Sequence, residues 1–184
     1  MATTNFKSPT DAAGRAGRYL STLGTEAAWA GVILSAIGSN CAVSANNSGL
    51  FIKFTPKYDL VCPSFLWVVG SQSGNYDVGL YDADGNRLWA KGSTTVPSTG
   101  TTVTETFTGI QLTAGQDYYV GWSSDNTTAG VKGLAISGLG ELAKMADGVT
   151  LSTYSVASVF PLPSTVTYGS TSVNRLPFFV LRGT

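Results

Sequence analysis

Val78 and Leu80, and after them Leu88, alternate with small or polar neighbours between Gly74 and Ala90, the two-residue period of a strand with one buried face. Between them Asp82-Ala83-Asp84-Gly85-Asn86 supplies turn chemistry, with Gly85 free to take the positive φ of a tight reversal. The pattern predicts a β-hairpin with a bulky inward face. Comparable signals recur from Gly49 onward. Residues 50–54 end at Pro56, and residues 65–69 follow Cys62-Pro63 and end at Gly70. Residues 102–107 alternate, residues 117–122 follow the Gly115 turn, residues 131–136 form a short run, and residues 176–182 close the set. Many short strands with little convincing helix, and no crossover helices of the kind parallel sheets need, predict an all-β chain: an antiparallel, jelly-roll-like β-sandwich.

The pattern divides the chain into an arm, residues 1–48, and a sandwich domain, residues 49–184. Residues 1–24 are rich in Gly, Ser and Thr and read as extended and poorly self-supporting. Residues 26–37 are apolar almost throughout. Their periodicity does not separate a short helix capped by Thr25 from a buried strand, although Val32, Ile33, Gly31 and Gly38 favour strand. Between Leu139 and Tyr168 the strand pattern weakens. One or two helical turns are expected near residues 139–146, and Pro161-Leu162-Pro163 does not fit a central strand. This part reads as a long excursion across the sandwich, ending in a loop at residues 165–174.

Composition narrows the functional classes. Eleven basic residues balance eleven acidic ones, and charged residues are only 12% of the chain, about half the ~25% of ordinary soluble proteins. Nucleic-acid binding needs a basic stripe to neutralise phosphates, so no nucleic-acid partner is expected. Low charge with zero net charge favours association instead, so a homo-oligomer, a trimer among the candidates, is expected. No apolar run approaches the ~20 residues of a membrane span, and the start lacks a signal-peptide core, so cytoplasmic synthesis and no membrane partner are expected. Cys41 and Cys62 are too few for a disulfide framework and read as two buried thiols. Asn46-Asn47-Ser48 and Asn126-Thr127-Thr128 match the glycosylation pattern, which carries no weight in a polar, loop-rich chain without a signal peptide.

The chain contains no histidine, which excludes a Ser-His-Asp triad and any histidine metal site. Asp82, Asp84 and Asn86 partly resemble a calcium loop but lack its later ligands, so a solvated hairpin turn is the expectation. Asp77, Glu105 and Asp117 are scattered, and nothing in their spacing forms a glycosidase pair. No catalytic residue, metal or cofactor is therefore expected. Among the aromatics, Trp67 and Trp122 sit in the most apolar runs and are assigned to the core. Tyr76, Tyr81 and Trp89 are the expected exposed set and the candidates for stacking on a glycan. In the arm, Arg15, Arg18, Tyr19 and Leu20 are the partner-binding candidates, within a segment that orders against a neighbouring subunit.

The stretches Ser73 to Asp82, Leu112 to Trp122 and Arg175 to Arg182 resemble the jelly-roll-like β-sandwich modules of bacteriophage and prophage surface proteins, both head-associated and tail-fibre-like. Such modules pair a "Gly-Asn-x-x-x-Gly-Ile-Tyr" strand with an "Ala-Gly-x-Tyr-Tyr-Ala" strand, matched here by residues 74–81 and 115–119. The resemblance covers about residues 49–181 and names no catalytic residue. It implies a non-enzymatic structural protein at the virion surface, with phage capsid or tail proteins as partners. A capsid decoration or cement protein anchored by its arm fits best, because no repetitive shaft of a fibre is present. A tail fibre or receptor-binding protein whose sandwich recognises a host glycan is the alternative.

Overall fold

A computed structural model describes residues 39–135, 153–169 and 175–182. Among the described residues twelve strands run in order: β1 Ser39–Ala42, β2 Ser48–Phe54, β3 Leu60–Ser71, β4 Asn75–Asp82, β5 Arg87–Ala90, β6 Thr94–Thr95, β7 Thr102–Leu112, β8 Tyr118–Ser124, β9 Gly130–Ala135, β10 Thr153–Val156, β11 Arg175–Pro177 and β12 Phe179–Arg182. They form two antiparallel sheets, so the all-β sandwich predicted from the pattern is what the chain builds. In sheet 1 the order is β1-β9-β3-β12, with β11 beside β9 and β7 beside β3; in sheet 2 it is β10-β2-β8-β4-β5, with β6 beside β4. Successive strands change sheet except from β4 through β6 and from β11 to β12. The β2–β3 ribbon runs antiparallel to β7–β8, β2 on β8 and β3 on β7, which is the rolled ribbon of a jelly roll.

The sandwich begins before Gly49. β1 pairs residue for residue with β9, from Ser39 against Gly133 to Ala42 against Gly130, and Cys41 and Val43 are buried in the core. Residues 39–42, assigned to the arm by composition, thus belong to sheet 1, and Ser48 already opens β2 in sheet 2. Residues 1–38 and the helical turns expected near residues 139–146 lie outside the described residues.

The core lies between the sheets. Phe65, Trp67 and Val69 from β3 meet Val78 and Leu80 from β4 and Val120 and Trp122 from β8, all buried. Trp67 and Trp122 stand edge to face, 6.4 Å apart, as their assignment to the core required. Cys41 and Cys62 are both buried.

Sheet 2 departs from the one-face-buried pattern: six consecutive residues of β4, 76–81, are buried. Its outer face is covered by the chain's own strap, residues 157–168, which sets Val159, Leu162 and Val166 over Phe51, Tyr81 and Tyr119. Glycines let the strap lie close. A Cβ on Gly79 would meet Leu162 Cδ1 at 3.0 Å and the Trp89 carbonyl at 2.8 Å, and one on Gly121 would meet the Phe51 ring at 2.6 Å. Gly79 and Gly121 are directly opposed in the β4–β8 ladder, so side chains are missing where the strap and Phe51 need room. The excursion predicted around Pro161-Leu162-Pro163 is this strap.

The hairpin corrects one position. Leu88, expected inward, is exposed, because the β4–β5 register shifts between Leu80 and Tyr81. Trp89 stands opposite Leu80 and takes the inward place, packing on Phe65 and Phe107. The turn itself forms as expected, with Gly85 at φ +82°.

Candidate functional site

The three aromatics expected on the surface are not there. Tyr76 is 2% exposed and Tyr81 is fully buried. Trp89 is half-buried against the core. Tyr76 belongs to the inner face of β4: its ring stands 4.8 Å from that of Trp67, and its hydroxyl donates to Glu105 Oε1 at 2.8 Å. Tyr81 faces outward but lies beneath the strap, where its hydroxyl donates to the Pro163 carbonyl at 2.8 Å. Burial pushes both hydroxyl pKa values up. Stacking a sugar ring needs an accessible aromatic face, which neither Tyr76 nor Tyr81 presents, so the expected exposure is corrected for both. The strap is the reason for Tyr81, and Tyr76 lies inward because it shares the strand face of Val78 and Leu80.

The carboxylates are engaged in holding the fold. Glu105, 1% exposed, accepts from Tyr76 and, at 3.5 Å, from Trp67 Nε1, and it pairs with Lys91 Nζ at 3.2 Å. Asp77, also 1% exposed, accepts from the Gly92 N–H at 2.8 Å and the Leu162 N–H at 2.9 Å, pinning the strap to β4. Burial raises its pKa, and hydrogen bonds from the Leu162 and Gly92 amides oppose that rise. Arg87 reaches the same segment, donating from Nη1 to the Leu162 carbonyl at 2.6 Å.

Asp82 closes the hairpin turn. Its Oδ1 accepts from the N–H groups of Asp84 and Asn86, and its Oδ2 accepts from Asn86 Nδ2. The turn is not merely solvated, because the Val166 N–H donates to the Gly85 carbonyl and the Arg87 N–H to the Ser164 carbonyl. Among the described residues, no group of three or more acidic or thiol side chains converges in a way that would hold a metal ion.

A different aromatic cluster lies on the outer side of sheet 2, where the strap ends. Tyr119 from β8 stacks on Tyr168 at 3.8 Å and 20°, and Tyr154 from β10 stands 5.7 Å from each. Tyr154 and Tyr168 are half-buried. Lys53, opposite Tyr119 in the β2–β8 ladder, pairs with Asp117 Oδ2 at 2.7 Å, and Thr55 Oγ1 donates to Asp117 Oδ1 at 2.6 Å. The bond from Lys53, then that from Thr55, holds the Asp117 carboxyl below its ordinary range, and the same ion pair raises Lys53. Sequence reading missed this cluster, since Tyr154 and Tyr168 belong to the weakly patterned excursion. The only available signal was the Tyr118-Tyr119 doublet, of which one ring must face outward in a strand.

The described residues also leave a small apolar recess of ≈ 20 Å³ lined by Ile52, Phe54, Val120, Pro177, Phe179 and Leu181. Its lining side chains are all apolar. Arg15, Arg18, Tyr19 and Leu20 lie outside the described residues. No protein-family model matches this sequence, and no curated protein matches it.

Proposed function

We propose that the chain is a non-enzymatic structural protein of a bacteriophage particle, a capsid decoration or cement protein that joins its neighbours through the N-terminal arm and self-associates. The observation that carries this reading is the pairing of the two segments bearing the phage-module resemblance. Residues 74–81 and 115–119 include hydrogen-bonded neighbours, with Tyr81 opposite Tyr119 and Gly79 opposite Gly121 two residues further along. The use of Asp77, Asp82, Glu105 and Asp117 in the frame, and not at the mouth of a cleft, supports a mechanical role over chemistry. The mechanism is additive: apolar burial and backbone pairing across subunit junctions strengthen a shell against internal pressure.

Incorporation into particles tests it. Deleting residues 1–24 is expected to abolish incorporation while the purified sandwich keeps its β-rich circular dichroism. Normal copy number of the truncated protein on particles would defeat the anchoring role.

The tyrosine cluster favours a second reading, a tail protein whose sandwich binds a host glycan. Tyr154 and Tyr168, half-buried over the buried Tyr119, offer partial aromatic surface near the polar groups of Lys53 and Asp117, the combination sugar recognition uses. That reading expects saturable binding of host envelope polysaccharide, weakened by Tyr154→Ala and Tyr168→Ala.

A further inference from the structure

Among the described residues β7 is an edge strand that pairs only with β3, and its stretch from Thr102 to Thr106 is regular and lightly guarded. Exposed edges are ordinarily blunted by lysine, proline, short length, a β-bulge or an inward-pointing charge. β7 is 11 residues long and contains no Lys, Arg or Pro. Its one acid, Glu105, points inward but is already bonded to Tyr76 and paired with Lys91, so no unpaired charge opposes an added strand.

The backbone parity of that edge can be worked out. The Val69 N–H donates to the Thr101 carbonyl at 2.9 Å. Hydrogen-bonded pairs alternate in an antiparallel ladder, so residues 103 and 105 also aim their backbone groups at β3. Thr102, Thr104 and Thr106, opposite Val68, Leu66 and Ser64, therefore aim theirs at the open edge. All three threonines are exposed. The regular stretch ends there, since the β3–β7 register shifts beyond Ser64 and Thr106, and Gly109 takes φ +46°.

Residues 102–106 read Thr-Val-Thr-Glu-Thr, with threonine at the same places from either end. We infer that this edge pairs with the same edge of a second copy, antiparallel about a two-fold axis through Thr104. That register opposes Thr104 to its own copy and Thr102 to Thr106, the residues whose backbone groups are free to pair, and forms about six hydrogen bonds. Threonine then meets threonine on the outer face, a favourable cross-strand pair. Zero net charge leaves no long-range repulsion between copies. The contact is isologous and closes as a dimer, with the bulge beyond Thr106 limiting its length. This inference deepens the self-association in the proposed function and rests on that part of it. It is independent of the particle on which the protein would sit.

Sedimentation of the full chain over a range of concentrations tests it, with three variants. The wild type is expected to dimerise. Thr104→Lys is expected to weaken the dimer at least tenfold. Thr104→Pro should do the same while leaving the monomer folded, because the N–H it removes is not bonded to β3. Opposed hydrogen-bonded residues lie about 5.5 Å apart between Cα atoms, within reach of a disulfide. Thr104→Cys should therefore form a covalent dimer on mild oxidation, whereas Tyr58→Cys, at a position 80% exposed elsewhere, should not. A dimer or trimer unmoved by Thr104→Lys and Thr104→Pro overturns the β7 edge but leaves self-association standing. A monomer at every concentration overturns both.

Discussion

Replacing Glu105 tests whether the carboxylate buried between the sheets is a structural keystone. Glu105→Ala removes the acceptor for the Tyr76 hydroxyl, now 2.8 Å away, and the weaker contact from Trp67. A hydrogen bond to a charged acceptor contributes about 1.5–3 kcal/mol, and a buried hydroxyl left without a partner costs about 1–3 kcal/mol, two overlapping descriptions of one loss. The Lys91 ion pair adds little, because the lysine side chain is 42% exposed and water screens it, so about 0–1 kcal/mol is its share. The sum is about 3 kcal/mol. For a chain of this length that lowers Tm by about 6–12 °C, at roughly 2–4 °C per kcal/mol. Glu105→Gln keeps an oxygen for Tyr76 and should cost only about 1 kcal/mol. Urea unfolding followed by tryptophan fluorescence suits the measurement, since Trp67 lies beside Tyr76. A cycle with Tyr76→Phe sharpens it: Glu105→Leu and Tyr76→Phe together should cost about 1–2 kcal/mol less than the sum of the singles. Additive singles, or a Glu105→Ala protein within about 0.5 kcal/mol of wild type, would refute the network.

Leu162→Ala should destabilise by about 2–5 kcal/mol, because Leu162 is 2% exposed and seated above Gly79; denaturant titration measures it. Gly121→Ala should cost about 1–3 kcal/mol in the same assay, its methyl falling within 2.6 Å of the Phe51 ring. The Lys53–Asp117 pair sets a small pH dependence. The folded pKa of Asp117 lies below its unfolded value, so its stabilisation is present above the unfolded value and is lost as pH falls through the folded one. Both side chains are about a third exposed, so the amplitude should be about 0–1 kcal/mol, and Asp117→Asn should remove it. Asp77 has the opposite sign: burial raises its folded pKa, so its contribution grows as pH falls through that value. Comparing the acid-side stability slopes of wild type and Asp77→Asn measures this.

Much of the frame was legible because it is local. The β2 run ending before Pro56, the alternation of Val78 and Leu80 and the Asp82 to Asn86 turn each depend on neighbours in sequence. What escaped depends on distant partners. β3 runs through Pro63 instead of starting after it, because a register shift against β7 absorbs the missing N–H. The short β6 lies in a stretch read as polar loop and exists through pairing with Asn75 and Tyr76. Leu88 and Trp89 exchange places through a register shift that alternation alone does not reveal. The site residues suffered most. Tyr81 stands on the side of β4 that a two-layer sandwich leaves wet, and only a segment some 80 positions later makes it dry. That same segment carries Tyr168, so the tyrosine cluster was hidden for the reason Tyr81 was misplaced.

The strap gives the two broad sides of the molecule unequal evolutionary freedom. Behind it, sheet 2 is fixed by packing on both faces, so its strands tolerate little change. The side chains of Ser164, Thr165 and Thr167 are exposed on the strap, while Val159, Leu162 and Val166 anchor it to sheet 2. A lineage of such proteins can therefore redraw that whole side by editing one short segment, leaving the architecture beneath untouched.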